Sequence, residues 1–169
     1  MKVLACAIPV GSLLGRHAVE AAWFQDAWRA PLHRTEAPAT DIFIAVFGHR
    51  PTWMKQIMIA RNGVAFLFGL DVPTNAEIMR PQVRGSYRVG DKIGAWPIYA
   101  LTDNELIAGR DNTHLDFRVS ILKEGDCVVI STICTVHNLF GKLYLFCITP
   151  FHKLGVRLLI SNAVEAGRL

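Results

Sequence analysis

The sequence is short of charged residues. Only 19% of its 169 residues are Asp, Glu, Lys or Arg, whereas 51% are hydrophobic, and the mean hydropathy is +0.29. This balance excludes an intrinsically disordered chain, and the length suits one folded domain spanning 1–169. Apolar side chains beyond the needs of one core predict a ligand cavity or an oligomer interface.

Long apolar runs and paired cysteines are also missing. The longest apolar run, 63–70, has eight residues, too few for a membrane-spanning helix, so we expect none. Cys6, Cys127, Cys134 and Cys147 form no Cys-x-x-Cys pair, which predicts reduced thiols. Pro9 and Gly11 interrupt the apolar start and no cleavage site follows, so we expect a cytoplasmic protein.

Clusters of basic residues are absent as well. Lys and Arg outnumber Asp and Glu by 18 to 14, giving a net charge of +4, but no two basic residues are adjacent. A surface that follows a phosphate backbone or a lipid headgroup layer usually shows grouped cations. We therefore expect neither a nucleic-acid partner nor a membrane partner.

Periodicity and turn residues predict an α+β fold. Residues 1–22 form an extension of uncertain structure, residues 26–32 alternate like an edge strand, and helices are predicted at 41–48 and from Pro51 to about 68. A closing helix is predicted from Pro150. The intervening turns are too short for parallel crossovers, so the remaining strands must be antiparallel. They are predicted at 92–101, 105–109, 114–122, 127–137 and 142–149.

Alternation assigns the strand residues to two faces of this sheet. If Leu122 pairs with Cys127, Phe117 faces Thr132 and Arg118 faces Ser131. One face is then almost wholly apolar and should be covered by helices, and the other is half polar and should face solvent. The apolar face comprises Trp96, Ile98, Ala100, Leu106, Ala108, Leu115, Phe117, Val119, Ile121, Val128, Ile130, Thr132, Cys134 and Val136.

The order of elements resembles the helix-grip fold of START-like and pollen-allergen-like proteins, in which a curved antiparallel sheet packs on a long C-terminal helix and two helices follow the first strand. Four segments resemble a bacterial family of unknown function over about residues 20–165. They are 51–54 with Arg61-Asn62 and Gly69-Leu70, 114–118, 135–138 with Gly141 and Tyr144, and 151–152.

The resemblance implies relatives that occur alone or behind a short-chain-dehydrogenase-like NAD-binding domain. It implies no activity for individual residues. The present sequence has no Gly-x-Gly-x-x-Gly, so we expect no nucleotide cofactor.

The half-polar face carries candidates for proton transfer. His114 and Asp116 are two residues apart on one strand, and His137 is predicted diagonally across the hairpin. An imidazole oriented by a carboxylate is the usual general base, and the same groups bind metals. The alternative is a solvated face on which Asp116, Arg118 and Glu105 form ion pairs. No metal is expected, because this spacing lacks a third nearby ligand.

The helices and the apolar face of the sheet carry candidates for ligand binding. Arg61 interrupts an apolar helix and needs either a ligand carboxylate or a structural ion pair. His152 is predicted as a neutral structural imidazole near a helix start, and Cys134 as a core thiol. Trp53, Trp96, Phe117, Tyr144 and Leu154 complete the candidate ligand-binding set, with ordinary core packing as the alternative for the aromatic residues.

Three functions remain open from the sequence. The first is a domain that holds an apolar or amphipathic small molecule between sheet and C-terminal helix, without covalent chemistry. The second is a cyclase, hydratase or isomerase that uses His114, Asp116 or His137. The third is a partner module whose half-polar face, with Ile107, Ile133 and Tyr99, binds a second copy or an NAD-binding protein.

Overall fold

A seven-stranded antiparallel sheet, in the order β1-β2-β7-β6-β5-β4-β3, forms the centre of the protein. The computed structural model describes residues 2–67, 74 and 84–169. The strands are β1 Leu4–Ala5, β2 Phe24–Pro31, β3 Lys92–Ile93, β4 Trp96–Leu101, β5 Glu105–Asp111, β6 Leu115–Glu124 and β7 Cys127–Val136. The helices are α1 Arg16–Ala21, α2 Ala39–Phe47, α3 Thr52–Leu67 and α4 Leu139–Glu165.

The α+β class is confirmed, with an antiparallel sheet, helices between its first strands and a long C-terminal helix packed against it. The segment predicted at 92–101 is two short strands, β3 and β4, which pair with each other. Strand β2 lies inside the sheet between β1 and β7, so its prediction as an edge strand is wrong.

The β6–β7 hairpin turns more tightly than the sequence predicted. Glu124 pairs with Cys127, and Gly125 supplies the positive φ, 62°, that this turn needs. Phe117 therefore opposes Cys134, and Arg118 opposes Ile133. This register differs from the predicted one by two residues. Because side chains alternate with a period of two, the face assignment survives the error.

One face of the sheet forms the core, as predicted. Ile98, Val119, Ile121 and Ile130 are buried there beneath the helices. Ala100 is an exception, because a bulge after Ile98 pairs it with Ile107 on the other face. Helix α2 packs on α4 and on β5 and β6, and α4 packs on β2 and β7.

Helix α4 corrects two predictions. It begins at Leu139, where the side chain of Asn138 accepts a hydrogen bond from the Gly141 N–H at 3.0 Å. The strand predicted at 142–149 and the helix start predicted at Pro150 are therefore both wrong. Pro150 lies inside α4, where its ring removes one helical hydrogen bond.

The start of α4 is held close to the sheet by a small residue. A Cβ on Gly141 would collide with the carbonyl oxygen of His114, at the end of β6. Glycine therefore lets the first turn of α4 lie against the β6–β7 hairpin, which sets the direction of the helix over the core face.

Helix α4 meets the length and composition needed to cross a membrane, with 27 residues and a mean hydropathy of 1.4 over its most apolar stretch. The sequence prediction of no such helix rested on the longest uninterrupted apolar run, and the apolar residues of α4 are interrupted. Its inner face, with Leu145, Val156 and Ile160, is buried against the rest of the protein, whereas only 22% of the apolar stretch as a whole is buried.

The second face of the sheet is covered in part by the N-terminal residues. Leu14 packs with Ile107 and Ile133, which are 4% and 3% exposed. The expectation that this face is turned to solvent is therefore wrong for its centre, and these two isoleucines are not available to a partner.

Candidate functional site

A group of polar side chains lies on the core side of the sheet, beneath α4. Asp26 of β2 pairs with Thr132 of β7, and both are on the face that carries the core. His152 of α4 points toward Asp26, with 3.5 Å between its Nε2 atom and Asp26 Oδ2. Trp28 donates its indole N–H to the same carboxylate oxygen at 3.2 Å.

Three buried atoms in this region have no hydrogen-bond partner. They are Asp26 Oδ1, His152 Nε2 and Tyr144 Oη. Each buried polar atom left without a partner costs about 1–3 kcal/mol. In protein cores nearly all buried polar atoms have a hydrogen-bond partner. Three atoms without one, all on one side of α4, therefore lower the stability of the folded protein at this place.

Tyr144 and Arg61 lie at the other end of this region. The guanidinium carbon of Arg61 lies 5.4 Å from the centre of the Tyr144 ring, and Arg61 donates to Asn62 Oδ1 at 2.7 Å. Burial raises the pKa of Tyr144, and the charge of Arg61 opposes that rise. Among the described residues, no carboxylate pairs with Arg61, so the structural ion pair considered from the sequence is not found there.

Phe24 and Cys134 lie between the Asp26–His152 pair and the Arg61–Tyr144 pair. They are paired across β2 and β7, and Phe24 meets the His152 ring edge-on at 5.4 Å. Burial, with the nearby Asp26 carboxylate, raises the pKa of the Cys134 thiol to about 12. Cys134 is thus a neutral core thiol, as predicted. We call Asp26, Arg61, Cys134, Tyr144 and His152 the sub-helix cluster.

The predicted ligand-binding residues divide into two groups. Tyr144 belongs to the cluster and Phe117 borders it, both packed with Leu115 and Cys134. Trp96 meets Phe117 edge-on at 5.2 Å. Trp53 and Leu154 are 52% and 70% exposed on the outer surface, so they do not line this region.

The predicted proton-transfer residues do not converge on one point. His137 Nε2 lies 2.9 Å from Asp116 Oδ2, but the His114 ring contacts Asn138 at 2.8 Å and Phe140. Asp116 also accepts the Asn112 N–H at 3.1 Å. No set of three His, Cys, Asp or Glu side chains suited to a metal occurs in the described part of the chain.

Arg118 pairs with Asp111 at 2.6 Å, not with Asp116 or Glu105 as the sequence suggested. Its guanidinium also stacks 3.7 Å from the centre of the Tyr99 ring. Partial burial would raise the pKa of Asp111, but the hydrogen bond and charge of Arg118 outweigh it, and that pKa is lowered. Partial burial raises the pKa of Tyr99 against the same cation.

Glu105 is buried under the N-terminal residues and is not part of an exposed ion pair. It is 2% exposed and accepts hydrogen bonds from Ser12 Oγ at 2.5 Å, Ser120 Oγ at 2.5 Å and the Leu13 N–H at 2.7 Å. These contacts attach residues 12–14 to the sheet, which indicates a structural role.

A cleft of ≈ 320 Å³ lies along the N-terminal residues, away from the sub-helix cluster, and is lined by Ile8, Val10, Arg16 and Val19 among others. Its charged side chains, Arg16 and Glu20, pair with each other on the surface. The cleft therefore presents no free catalytic group comparable with the sub-helix cluster.

A protein family described as "Protein of unknown function (DUF2867)" matches residues 18–159. The chain belongs to this family. The matched span contains the whole sub-helix cluster. No curated protein and no solved structure matches the chain.

Sequence reasoning missed Asp26, although a signal for it was present. Asp26 alternates with Trp28 and Ala30, both of which face the core. A carboxylate in register with core residues needs a partner or a function, and that pattern is readable once the strand is assigned.

Proposed function

We propose that this protein binds an amphipathic small molecule between the sheet and α4, without covalent chemistry. The observation that carries the proposal is the set of three buried atoms without hydrogen-bond partners, Asp26 Oδ1, His152 Nε2 and Tyr144 Oη. A ligand whose polar group bonds to these atoms recovers the stability that the free protein lacks.

The chemistry of the cluster limits the ligand. An ionised Asp26 only accepts hydrogen bonds, a phenol donates or accepts, and an imidazole does either. A ligand hydroxyl or amide satisfies this set, because it can donate to Asp26 and accept from His152 or Tyr144. The neighbouring Phe24, Phe117 and Leu115 favour an apolar remainder.

The proposed location agrees with the helix-grip resemblance, which implies ligand binding between the sheet and the last helix. The described sheet with α4 packed on one face supports that architecture. The same resemblance implies relatives fused to NAD-binding domains, and on that ground an NAD-binding protein is the proposed macromolecular partner.

An enzyme is the second candidate, and the Asp26–His152 contact favours it. A carboxylate beside an imidazole is a pair of groups used for general acid–base catalysis. The pair predicted from the sequence, Asp116 and His137, is more exposed and its atoms already bond to each other. A cyclase, hydratase or isomerase reaction would therefore use the buried pair.

Native mass spectrometry of the protein purified from its own cells tests the proposal. The expected result is a protein mass with an added small molecule. The double variant Asp26→Asn/His152→Gln should lose the added mass. Its matched control, Asp116→Asn/His137→Gln, makes the same chemical changes on the other face and should retain it.

A wild-type protein that carries no small molecule overturns the proposal, as does loss of the ligand from both double variants alike. If ligand is bound, turnover of that ligand distinguishes the two candidates. An enzyme converts it, and the Asp26→Asn protein binds without converting it, whereas a carrier returns it unchanged.

A further inference from the structure

The outer face of α4 carries a stripe of exposed apolar side chains. Five large residues along it are between 61% and 80% exposed. Consecutive members are four, three, five and three residues apart, which places all five within an arc of about 140° on one side of the helix. We call this set the apolar stripe: Leu139, Leu143, Phe146, Phe151 and Leu154.

Helix α3 contacts α4 and carries exposed apolar side chains of its own. Arg61 of α3 stacks on Tyr144 of α4, and Met54 of α3 lies against Gly155. On α3, Trp53 and Ile57 are 52% and 55% exposed. Apolar side chains exposed on two neighbouring helices exceed what a soluble monomer usually shows.

The positive charge of the protein is concentrated on the same two helices. Helices α3 and α4 contain five Lys or Arg residues and one Glu, a net charge of +4, and the rest of the chain contains thirteen residues of each sign. Lys142, Lys153 and Arg157 are exposed. Their spacing of eleven and four residues places them in one row along an edge of the stripe.

We propose that α4 binds the protein to an anionic lipid surface, with its axis in the plane of the interface. Leu and Phe side chains buried among the lipids, beside a row of Lys and Arg that meets anionic headgroups, are the features of an interfacial helix. This proposal is independent of the sub-helix cluster, which lies on the other side of α4.

The charges near the stripe argue against two other roles for it, namely contact with a second copy of the protein and a transmembrane position. Two copies paired through this face would bring two rows of exposed cations together, each with Lys142, Lys153 and Arg157, which opposes association. A transmembrane position would place Lys153 and Arg157 in hydrocarbon and would require Val156 and Ile160 to leave the core. An interfacial position keeps the cations at the headgroups and the inner face on the sheet.

Cosedimentation with vesicles tests the proposal on the full chain. The protein should bind vesicles of phosphatidylcholine with about a third phosphatidylglycerol, bind pure phosphatidylcholine at least about tenfold more weakly, and dissociate as salt is raised. Phe146→Glu/Leu154→Glu should abolish binding. Val10→Glu/Val89→Glu, at exposed apolar sites elsewhere, should leave binding unchanged.

A second pair of variants isolates the charge. Lys142→Glu/Arg157→Glu should weaken binding to the anionic vesicles by about tenfold or more. Arg34→Glu/Arg88→Glu changes the net charge equally at other exposed positions and should have a smaller effect. All these sites are exposed, so circular dichroism should show unchanged folding.

Four results would overturn the proposal. The first is no binding to the anionic vesicles. The second is equal weakening by both charge variants. The third is a dimer in sedimentation velocity that Phe146→Glu/Leu154→Glu dissociates, which would assign the stripe to a second copy. Vesicle-bound protein that resists extraction at alkaline pH would also contradict it, because that result indicates a spanning helix.

Discussion

Asp26 and His152 face each other beneath α4, with Oδ2 and Nε2 3.5 Å apart and with Asp26 Oδ1 and His152 Nε2 lacking hydrogen bonds. A pair placed only for stability would be expected to close to hydrogen-bonding distance, as Asp116 and His137 do at 2.9 Å. At the longer distance, Asp26 Oδ1 and His152 Nε2 are both available to bond with a third group. This relationship underlies the proposed binding site.

The two side chains should be energetically coupled. Removing either side chain leaves the other buried and without its polar neighbour, which costs stability. Replacing both with apolar residues avoids that cost. We therefore expect Asp26→Leu and His152→Leu to be destabilising singly, and the double variant to be more stable than additivity predicts by about 1 kcal/mol or more. Urea unfolding of all four proteins measures this coupling. Strict additivity would show that the two groups do not interact.

Glu105 offers a comparison between two opposed serines. Ser120 and Ser131 are directly paired and both are buried, but only Ser120 donates to Glu105, and Ser131 Oγ has no partner. Ser120→Ala should lower the free energy of unfolding by about 1–3 kcal/mol, because it removes a hydrogen bond to a buried acid. Ser131→Ala should be neutral or stabilising. Equal losses in the two variants would contradict this assignment.

The cysteines should differ in reactivity toward thiol reagents. Cys147 is exposed and Cys134 is buried, and burial with the nearby Asp26 raises the pKa of Cys134 to about 12. Only the thiolate reacts, so mass spectrometry after alkylation of the native protein near neutral pH should find Cys147 modified and Cys134 intact. Modification of Cys134 before unfolding would contradict the described packing.

The same pKa predicts an alkaline loss of stability. The folded protein holds the Cys134 proton to about pH 12, whereas an unfolded chain releases it near the ordinary thiol value. The folded state therefore binds more protons in this interval, and the free energy of unfolding should fall as the pH rises from about 9 toward 12. Cys134→Val should reduce that slope.

Asp111 predicts the opposite dependence at acid pH. Its pKa is lowered in the folded protein, because Arg118 outweighs the effect of partial burial. Its contribution to stability is present above the ordinary carboxylate pKa and is lost as the pH falls through the folded value. The stability difference between wild type and Asp111→Asn should thus shrink on acidification to about pH 3. Solvent screening makes the difference small. A difference unchanged with pH would contradict the ion pair.

The sheet was largely predictable from the sequence because its signals are local. Alternation placed Phe117 and Ile121 on the core side, and Gly125 marked the β6–β7 turn. The register error of two residues arose because alternation fixes parity, not the number of residues in a turn. The bulge at Ala100 gave no signal in the pattern of apolar residues.

Helix α4 was not predictable in its first half. Residues 142–149 are rich in side chains that favour strands, and Pro150 resembles a helix start. Tertiary contacts override these preferences, because Gly141 fits beneath the His114 carbonyl and Leu145 packs in the core. Reading this segment as a strand divided the apolar stripe, whereas the expectation of no membrane partner came from the dispersed Lys and Arg residues.

The site was only partly predictable. Arg61 and Tyr144 were recognised as residues that need partners, but Asp26 joins them through pairing between β2 and β7, which are separated by about a hundred residues of sequence. The burial of Glu105 depends on Ser12, whose position over the sheet no local pattern indicates.

The most direct test is the free energy of unfolding of Tyr144→Phe in ligand-free protein, measured by urea denaturation. The substitution removes a buried hydroxyl that has no hydrogen-bond partner and leaves the ring in place. If the cluster is held ready for a ligand, Tyr144→Phe should be as stable as wild type or more stable, by up to about 1–3 kcal/mol. A loss of about 1 kcal/mol or more would show that the hydroxyl already serves the fold, and would contradict the account.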